Sequence, residues 1–462
     1  MKRFWLLFLL LPVSVAAQKL DMDWLKDMHP RSIGPAGMSG RVTCIAVDPH
    51  NDQKIWIGTA SGGVWVSGNG GAKWQPIFDD QDIQSIGSIA INPRNPSEIW
   101  VGTGEGNPRN SHNSGAGIYR TIDGGRTWSC MGLEDTKLIH RIIIHRDDPS
   151  TVWVGALGSA WGPSEARGLY RTRDKGRSWE KVLYTNATTG IADMVNDPVH
   201  PEKLIAAMWE FGRTPWDFNS GGDSSGLYIT YDGGDNWEKI DSEGGLPKGK
   251  LGRIGLAIAD SKPNIVYALV EAEKKNGLYR SENGGHDWKK VATENIGNRP
   301  FYYADIFVDP KNENRIYNLY SLVSRSEDGG KSFSVLLPYS SGGVHPDHHA
   351  FWIDPDNPDY LIDGNDGGLN ISRDGGKTWH FINNLPLGQF YHINYDMDFP
   401  YHVYGGMQDN GSWIGPAYVL KNGGIRNYDW QELYFGDGFD VVPQPSDSRY
   451  GYAMSQGGNV AY

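Results

Sequence analysis

An all-β fold of four-stranded antiparallel sheets stacked radially, a β-propeller, is what this sequence predicts. Three observations carry that reading. A turn motif recurs seven times in one frame, each copy sits inside the same strand-turn-strand order, and the composition includes 60 glycines, 18 tryptophans and 23 tyrosines. The motif reads Ser/Thr-x-Asp/Asn-x-Gly-x-x-Trp/Phe and opens at Ser67, Thr121, Thr172, Thr230, Ser281, Ser326 and Ser372. Its acidic or amide positions are 69, 123, 174, 232, 283, 328 and 374, spaced by 54, 51, 58, 51, 45 and 46 residues. Such intervals match one propeller blade of four short strands.

Hairpin chemistry explains the motif. Its Ser/Thr and Asp/Asn side chains bond turn amides, Gly accepts the positive φ of a tight connection, and the Trp packs beside the turn. The acids are therefore expected to be structural. Asn69 and Asn283 fit this, because an amide caps a turn but moves no proton. Around the first copy, 41–47 alternates, Asp48-Pro49 turns the chain, and 54–59, 63–67 and 73–77 follow as further strands. Later units repeat the order, with Asn92-Pro93, Asp148-Pro149, Asp197-Pro198, Asp309-Pro310 and Asp354-Pro355 at the same turn. A blade alone leaves both sheet faces uncovered, so ring stacking is what stabilises it. Seven blades are expected over 30–385, with 386–462 opening a second propeller; one larger ring is the alternative.

Residues 1–17 read as a secretory signal: Lys2 and Arg3, an apolar run over 4–11, and small residues at Val15 and Ala17 before the cut. The mature chain is expected outside the cytoplasm, secreted or periplasmic, with no membrane span. Loss of Lys2 and Arg3 takes the formal charge from −12 to −14. An acidic surface argues against nucleic acid and anionic membranes as partners. Cys44 and Cys130 do not make a disulfide framework and are expected to be two separate small hydrophobes.

In a propeller, loops between second and third strands share a face with the connections joining blades. Here these loops run over 60–62, 104–116, 157–167, 210–225, 271–276 and 365–367, and they vary while the scaffold repeats. Variable loops on a repeated scaffold are where binding resides. Glu105, Trp161, Glu210, Trp216, Asp217, Asp363 and Asp366 lie in or beside them. Carboxylates among aromatic platforms suit a carbohydrate. The densest cluster, His345-Pro346-Asp347-His348-His349, should meet Asp363 and Asp366 on that face. His345, Asp347 and His349 offer ligands for a divalent metal. The spacing matches no zinc pattern, and adjacent strand residues point oppositely, so a hydrogen-bonded cluster without a cofactor is expected. Arg41, Arg141 and Arg253 open innermost strands, where they can ring the channel mouth or balance neighbouring carboxylates.

With these seven corners, the chain resembles the bacterial-neuraminidase-repeat (Asp-box) propellers, a group that includes sortilin-type ectodomains and xyloglucanases. The xyloglucanase resemblance implies two catalytic aspartates. One lies in an Arg-Thr-Asp-x-Gly-Gly stretch of the first blade, where this chain reads Gly58-Thr59-Ala60-Ser61-Gly62-Gly63, so Ala60 replaces the carboxylate. The other lies in Gly-x-Gly-Asp-x-x-Gly-Phe, whose counterpart at 405–413 makes Asp409 the match. Glu105 or Asp366 is then the expected partner of Asp409. A sialidase is disfavoured, since the Arg-Ile-Pro segment of that family is missing. The resemblance thus implies a glycan-directed propeller of the xyloglucanase-like kind, acting on a β-glucan polysaccharide if it is an enzyme. The alternative is a non-enzymatic sortilin-like binder of peptides or proteins, which the replacement at position 60 favours.

Overall fold

The computed structural model describes residues 21–462 apart from 26, 29–30, 35–38, 110–111, 298, 300–301 and 340–342. The expected signal segment lies outside the described residues. Seven antiparallel sheets follow one another along the chain, six of four strands and the fourth of five, each with its four main strands in sequence order. The first comprises Val42–Asp48, Asn51–Thr59, Val64–Ser67 and Gln75–Pro76; the seventh comprises His348–Ile353, Leu361–Asn365, Gly368–Ser372 and His380–Phe381. Among the described residues helix is limited to short 3-10 turns, and none is long and apolar enough to cross a membrane.

Each pair of neighbouring sheets shares an apolar core. Trp56 packs with Ile89 and Val101 between the first and second, and Tyr317 with Phe351 and Leu361 between the sixth and seventh. The circle is closed by Val42, Ile57 and Trp65 of the first sheet against Ile362, Leu369 and Leu385 of the seventh. Each such side chain contributes about 1.5–3 kcal/mol on burial, which a lone sheet with two wet faces forgoes.

All seven motifs form the hairpin between third and fourth strands. At the last, Ser372 Oγ accepts the N–H of Gly376 (2.9 Å) and donates to Asp374 Oδ1 (2.9 Å). Asp374 in turn accepts the N–H (2.9 Å) and hydroxyl (2.7 Å) of Thr378. Those two bonds hold the Asp374 carboxyl down at about 2, and the hydroxyl and N–H of Ser178 do the same for Asp174. The motif also reaches the preceding blade. Trp153, the second residue of its strand, donates its indole N–H to the carbonyl of Gly233 in the next blade's corner (2.8 Å). Trp100 packs on Gly176 in the same way, where a Cβ would lie 2.8 Å from its ring. The glycine therefore serves the neighbour as well as the turn.

In the fourth blade the segment expected as a loop over 210–225 differs. Its second strand, Leu204–Arg213, runs on and folds back through Phe218–Ser220, because Trp209 and Phe211 bury their rings against Phe218. Beyond the seventh sheet lie two more. One has strands Phe390–Tyr395, His402–Met407, Ser412–Pro416 and Gln431–Tyr434; the other has Gly438–Pro443, Gly451–Ser455 and Asn459–Ala461. They pack through Tyr404, Val441 and Ala453 and dock on the ring: Trp430 donates to the carbonyl of Ile33 (2.7 Å) and Asn410 to that of Asp366 (2.9 Å).

Replacing Ser372 by Ala strands the buried N–H of Gly376, at a cost of about 1–3 kcal/mol. Denaturant titration of S372A should show that loss with an unchanged slope. An unaltered midpoint would mean the corner does not pin the blade. The corner aspartates, whose folded pKa is depressed, add stability that is complete above about pH 4 and lost as pH falls through about 2.

Candidate functional site

The loop face opposite the corners carries a buried ionic cluster built around Arg41. This residue immediately precedes an innermost strand, and its carbonyl accepts the N–H of Ala60 (3.1 Å). Its guanidinium bonds Glu105 Oε1 of the second blade (2.7 Å) and both oxygens of Asp366 in the seventh (2.5 and 3.1 Å). The Tyr302 hydroxyl also accepts from it (2.7 Å), and Asp409 Oδ2 lies 3.7 Å away. Arg41, Glu105 and Asp366 are all but sealed from solvent.

Asp366 collects donors. Besides Arg41 it accepts the Tyr302 hydroxyl (2.6 Å) and faces Nε2 of His349 (2.9 Å). The neighbours of His349 fix its tautomer. Asn107 Oδ1 accepts from Arg253 (2.8 Å), so its amide nitrogen faces His349 Nδ1 (3.1 Å). Nδ1 is then the acceptor, and Nε2 carries the proton, 2.9 Å from Asp366 Oδ1 but outside hydrogen-bond geometry. Burial works against the charge on Asp366, but Arg41 and His349 outweigh it and hold the carboxyl well below its ordinary range. Asp409 is moved the opposite way. Burial, the charge of Asp366 and a hydrogen bond between the two carboxyls push it up to about 9. At neutral pH one member of the pair is an anion and the other an acid, the separation that marks acid and base roles.

Asp409 borders an open cleft of about 570 Å³ between the ring and the additional sheets. Tyr339, Phe381 and Phe435 supply aromatic walls; His345, Asp347 and Asp437 supply polar ones. The backbone N–H of Asp409 donates to Asp437 (2.7 Å), and its carbonyl faces His345 Nε2 (3.3 Å). Asp347 accepts the Tyr303 hydroxyl. Asp347 and Asp409 hold positive φ, at 67° and 60°, a strained conformation for residues with a Cβ that concentrates at functional sites. One oxygen from each of Asp347, Asp366 and Asp409 lies within 4.8 Å of the others, a grouping able to hold a cation, although Arg41 already occupies one side of it.

Of the residues singled out in the sequence, His345, Asp347, Asp366 and Asp409 come together here. Glu105 is enclosed beneath Arg41 rather than facing the cleft. His348 and Asp363 bond each other inside the seventh blade (2.8 Å), while His349 turns to the ionic cluster, so His345, Asp347 and His349 do not converge as one ligand set. Glu210 accepts the N–H of Ser224 within its own loop (3.2 Å). Trp161, Trp216 and Asp217 sit elsewhere on the loop face, away from the cleft lining. Arg141 bridges Asp193 and Asp305 across the channel, and Arg253 bonds Asn107 and His140. Both cysteines are free. Sequence reasoning missed Tyr302, Tyr303, Asn107 and Asp437. The two tyrosines precede an innermost strand, as His345 and Asp347 do, and that shared place was the available signal.

A family profile described as "Sortilin, neurotensin receptor 3" matches residues 62–189 and 116–246, and one described as "BNR/Asp-box repeat" matches 371–381. A xyloglucanase of Paenibacillus sp is 24% identical over 303 residues, 62% of this chain and 25% of that protein. The chain thus spans about a quarter of that relative's length. Among solved structures, the GH74 enzyme of Niastella koreensis aligns with TM-score 0.63 at 15% identity, covering 92% of this chain and 65% of its own. The GH74 xyloglucanase of Xanthomonas campestris aligns at 0.62 and 16%, covering 93% and 73%. The chain is a BNR-type β-propeller resembling xyloglucanase-like hydrolases.

Two outcomes test the cluster. Removing the Arg41 cation leaves Glu105 and Asp366 buried without it, so Arg41→Met should lose about 3–5 kcal/mol in denaturant unfolding. For Asp409 the folded pKa is raised, so its contribution is complete below about pH 4 and is lost as pH rises towards about 9. An amide at 409 does not titrate. Tm of D409N minus Tm of the wild type should therefore become more positive from pH 4 to pH 9; a flat difference would place the proton elsewhere.

Proposed function

We propose that this chain is a secreted, glycan-directed propeller of the glycoside hydrolase type, with Asp409 as the proton donor of the cleft. The observation that carries the reading is a pair of neighbouring carboxyls, Asp366 sealed on Arg41 and Asp409 at the edge of an aromatic-lined groove. Hydroxyls of a polysaccharide find acceptors in Asp347 and Asp437, and the C–H faces of its rings find Tyr339 and Phe435. Asp366 is Asp409's hydrogen-bond partner and Glu105 is enclosed, so neither faces Asp409 across a bound sugar. Asp347 takes that place in the proposal. One oxygen of its carboxyl lies no more than 4.8 Å from one of Asp409, which puts the pair on the short, retaining side of the glycosidase separations rather than the inverting one. It stands in for the carboxylate that Ala60 replaces.

The competing reading, a sortilin-like propeller that binds peptide or protein partners without catalysis, is favoured by the profile match over 62–246 and by Ala60. Reducing-end release from a panel of β-glucans separates the two. The wild type should release sugar, and D409N and D347N should each fall by at least about 100-fold. Absence of release by the wild type would remove hydrolysis from the account and leave the binder; equal release by D409N would remove Asp409 from the mechanism.

A further inference from the structure

A second cluster on the loop face, outside the cleft, carries positive charge that no ion pair among the described residues neutralises. Arg213 ends the long second strand of the fourth blade, and its backbone N–H donates to the carbonyl of Ala160 in the neighbouring loop (2.8 Å). The guanidinium lies over the Phe218 ring, 5.2 Å from its centre. Its Nε and Nη1 are buried without an acceptor, and among the described residues it forms no ion pair. Arg167, beside it, bonds only main-chain carbonyls: Thr188 (2.7 Å) and Phe211 (3.3 Å) through Nη1, Ser159 (2.6 Å) and Gly162 (3.3 Å) through Nη2. Burial lowers both guanidinium groups, that of Arg167 to about 10, with no carboxylate opposing the shift. One buried and one half-buried cation without a counter-ion are unusual in a chain of net charge −12.

His112 completes the cluster. Its Nδ1–H donates to the carbonyl of Arg109 (2.7 Å), which leaves Nε2 as an acceptor. That nitrogen is buried without a donor, in a residue only 7% exposed. The ring stacks on Trp161, with centres 5.4 Å apart and planes 13° from parallel. Trp161 is itself 46% exposed, and Trp216, at the tip of the hairpin that Arg213 begins, is 85% exposed. Nearby acids do not supply the missing charge: Glu105 is committed to Arg41, and the exposed Asp217 makes no ion pair with Arg213.

We propose that this surface binds the carboxylate of an acidic sugar residue in a glycan, with the anion on Arg213, a hydroxyl donating to His112 and the sugar face on Trp161. It rests on reading the loop face as a glycan surface and extends that reading from neutral β-glucan to a uronate-bearing polymer. An acidic glycan approaches against the net charge of the protein. That repulsion is screened beyond about 8 Å at physiological salt, whereas the contact with Arg213 is local. Exposed indoles beside the cation favour a sugar ring over an acidic peptide, which offers no flat C–H face to stack.

Affinity electrophoresis of the protein in gels containing polygalacturonate, or the same polymer fully methyl-esterified, tests this. Retardation by the acid and not by the ester is expected, with about tenfold or more weakening in R213Q. Trp161→Ala keeps every charge and alters an exposed side chain, and it should also weaken retardation. Equal retardation by acid and ester, or wild-type retardation of both variants, would overturn the proposal. Stronger binding of poly-L-glutamate at matched charge would overturn the sugar and assign the surface to acidic peptides. The two readings fail separately. Acid-dependent retardation without release of sugar from β-glucans leaves this site standing and removes the hydrolase; release without acid-dependent retardation does the reverse.

Discussion

Arg41 gathers parts of the chain that share nothing in sequence. Its one guanidinium is bonded by Glu105 of the second blade, Asp366 of the seventh and the hydroxyl of Tyr302, which leads into the sixth, and Asp409 from beyond the ring sits beside it. Glu105 and Asp366 take the hydrogen bonds of Arg41, while Arg109 bonds the Tyr302 hydroxyl (2.9 Å), which itself donates to Asp366. Asp409 is left 3.7 Å from the guanidinium, with the Gln408 amide as its donor and the charge of Asp366 beside it. The cluster resolves this by keeping a proton, and it stays on Asp409, the member least enclosed and farthest from the guanidinium. The acid in the cleft is thus a consequence of how the ring is tied together.

What could be read in the sequence was what is local. Each corner is complete within eight residues, so its hydrogen bonds, its turn and its place between third and fourth strands follow from the letters alone. Topology then assigned the variable loops to one face. The partnerships at that face span hundreds of residues, 325 between Arg41 and Asp366 and 261 between Arg41 and Tyr302, and no spacing rule reaches across them. Membership of a loop also does not say which way a side chain turns. Glu105 reads as a carboxylate on the binding face, yet it points under Arg41; Asp363 reads the same way, yet it belongs to a strand and faces His348 inside the blade. Asp409 was legible only through the motif around it, and the cause of its protonation was not.

Rigidity at one rim permits variation at the other. Indole and phenol rings of one blade lean on the corner glycines of the next, so the blades are coupled where the seven hairpins lie. The loop rim is free of that coupling. It can carry an extended hairpin in the fourth blade, an ionic cluster at the closure of the ring, and two aspartates with positive φ. Each of those φ values costs on the order of 1 kcal/mol relative to glycine, which would adopt them freely. Side chains are kept at 347 and 409 despite that cost, and both border the same groove.

The choice of residue at 409 separates chemistry from architecture. An asparagine there would donate to Asp366 and accept from Gln408, keeping the same bonds without a titrating group. The chain makes that choice elsewhere: Asn69 and Asn283 cap their corners as amides, where only hydrogen bonds are required. At 409 it retains a carboxyl whose raised pKa lowers stability across the neutral range. In the proposed hydrolase the same arrangement has a use, because a carboxylic acid held neutral next to a fixed anion is placed to hand over a proton.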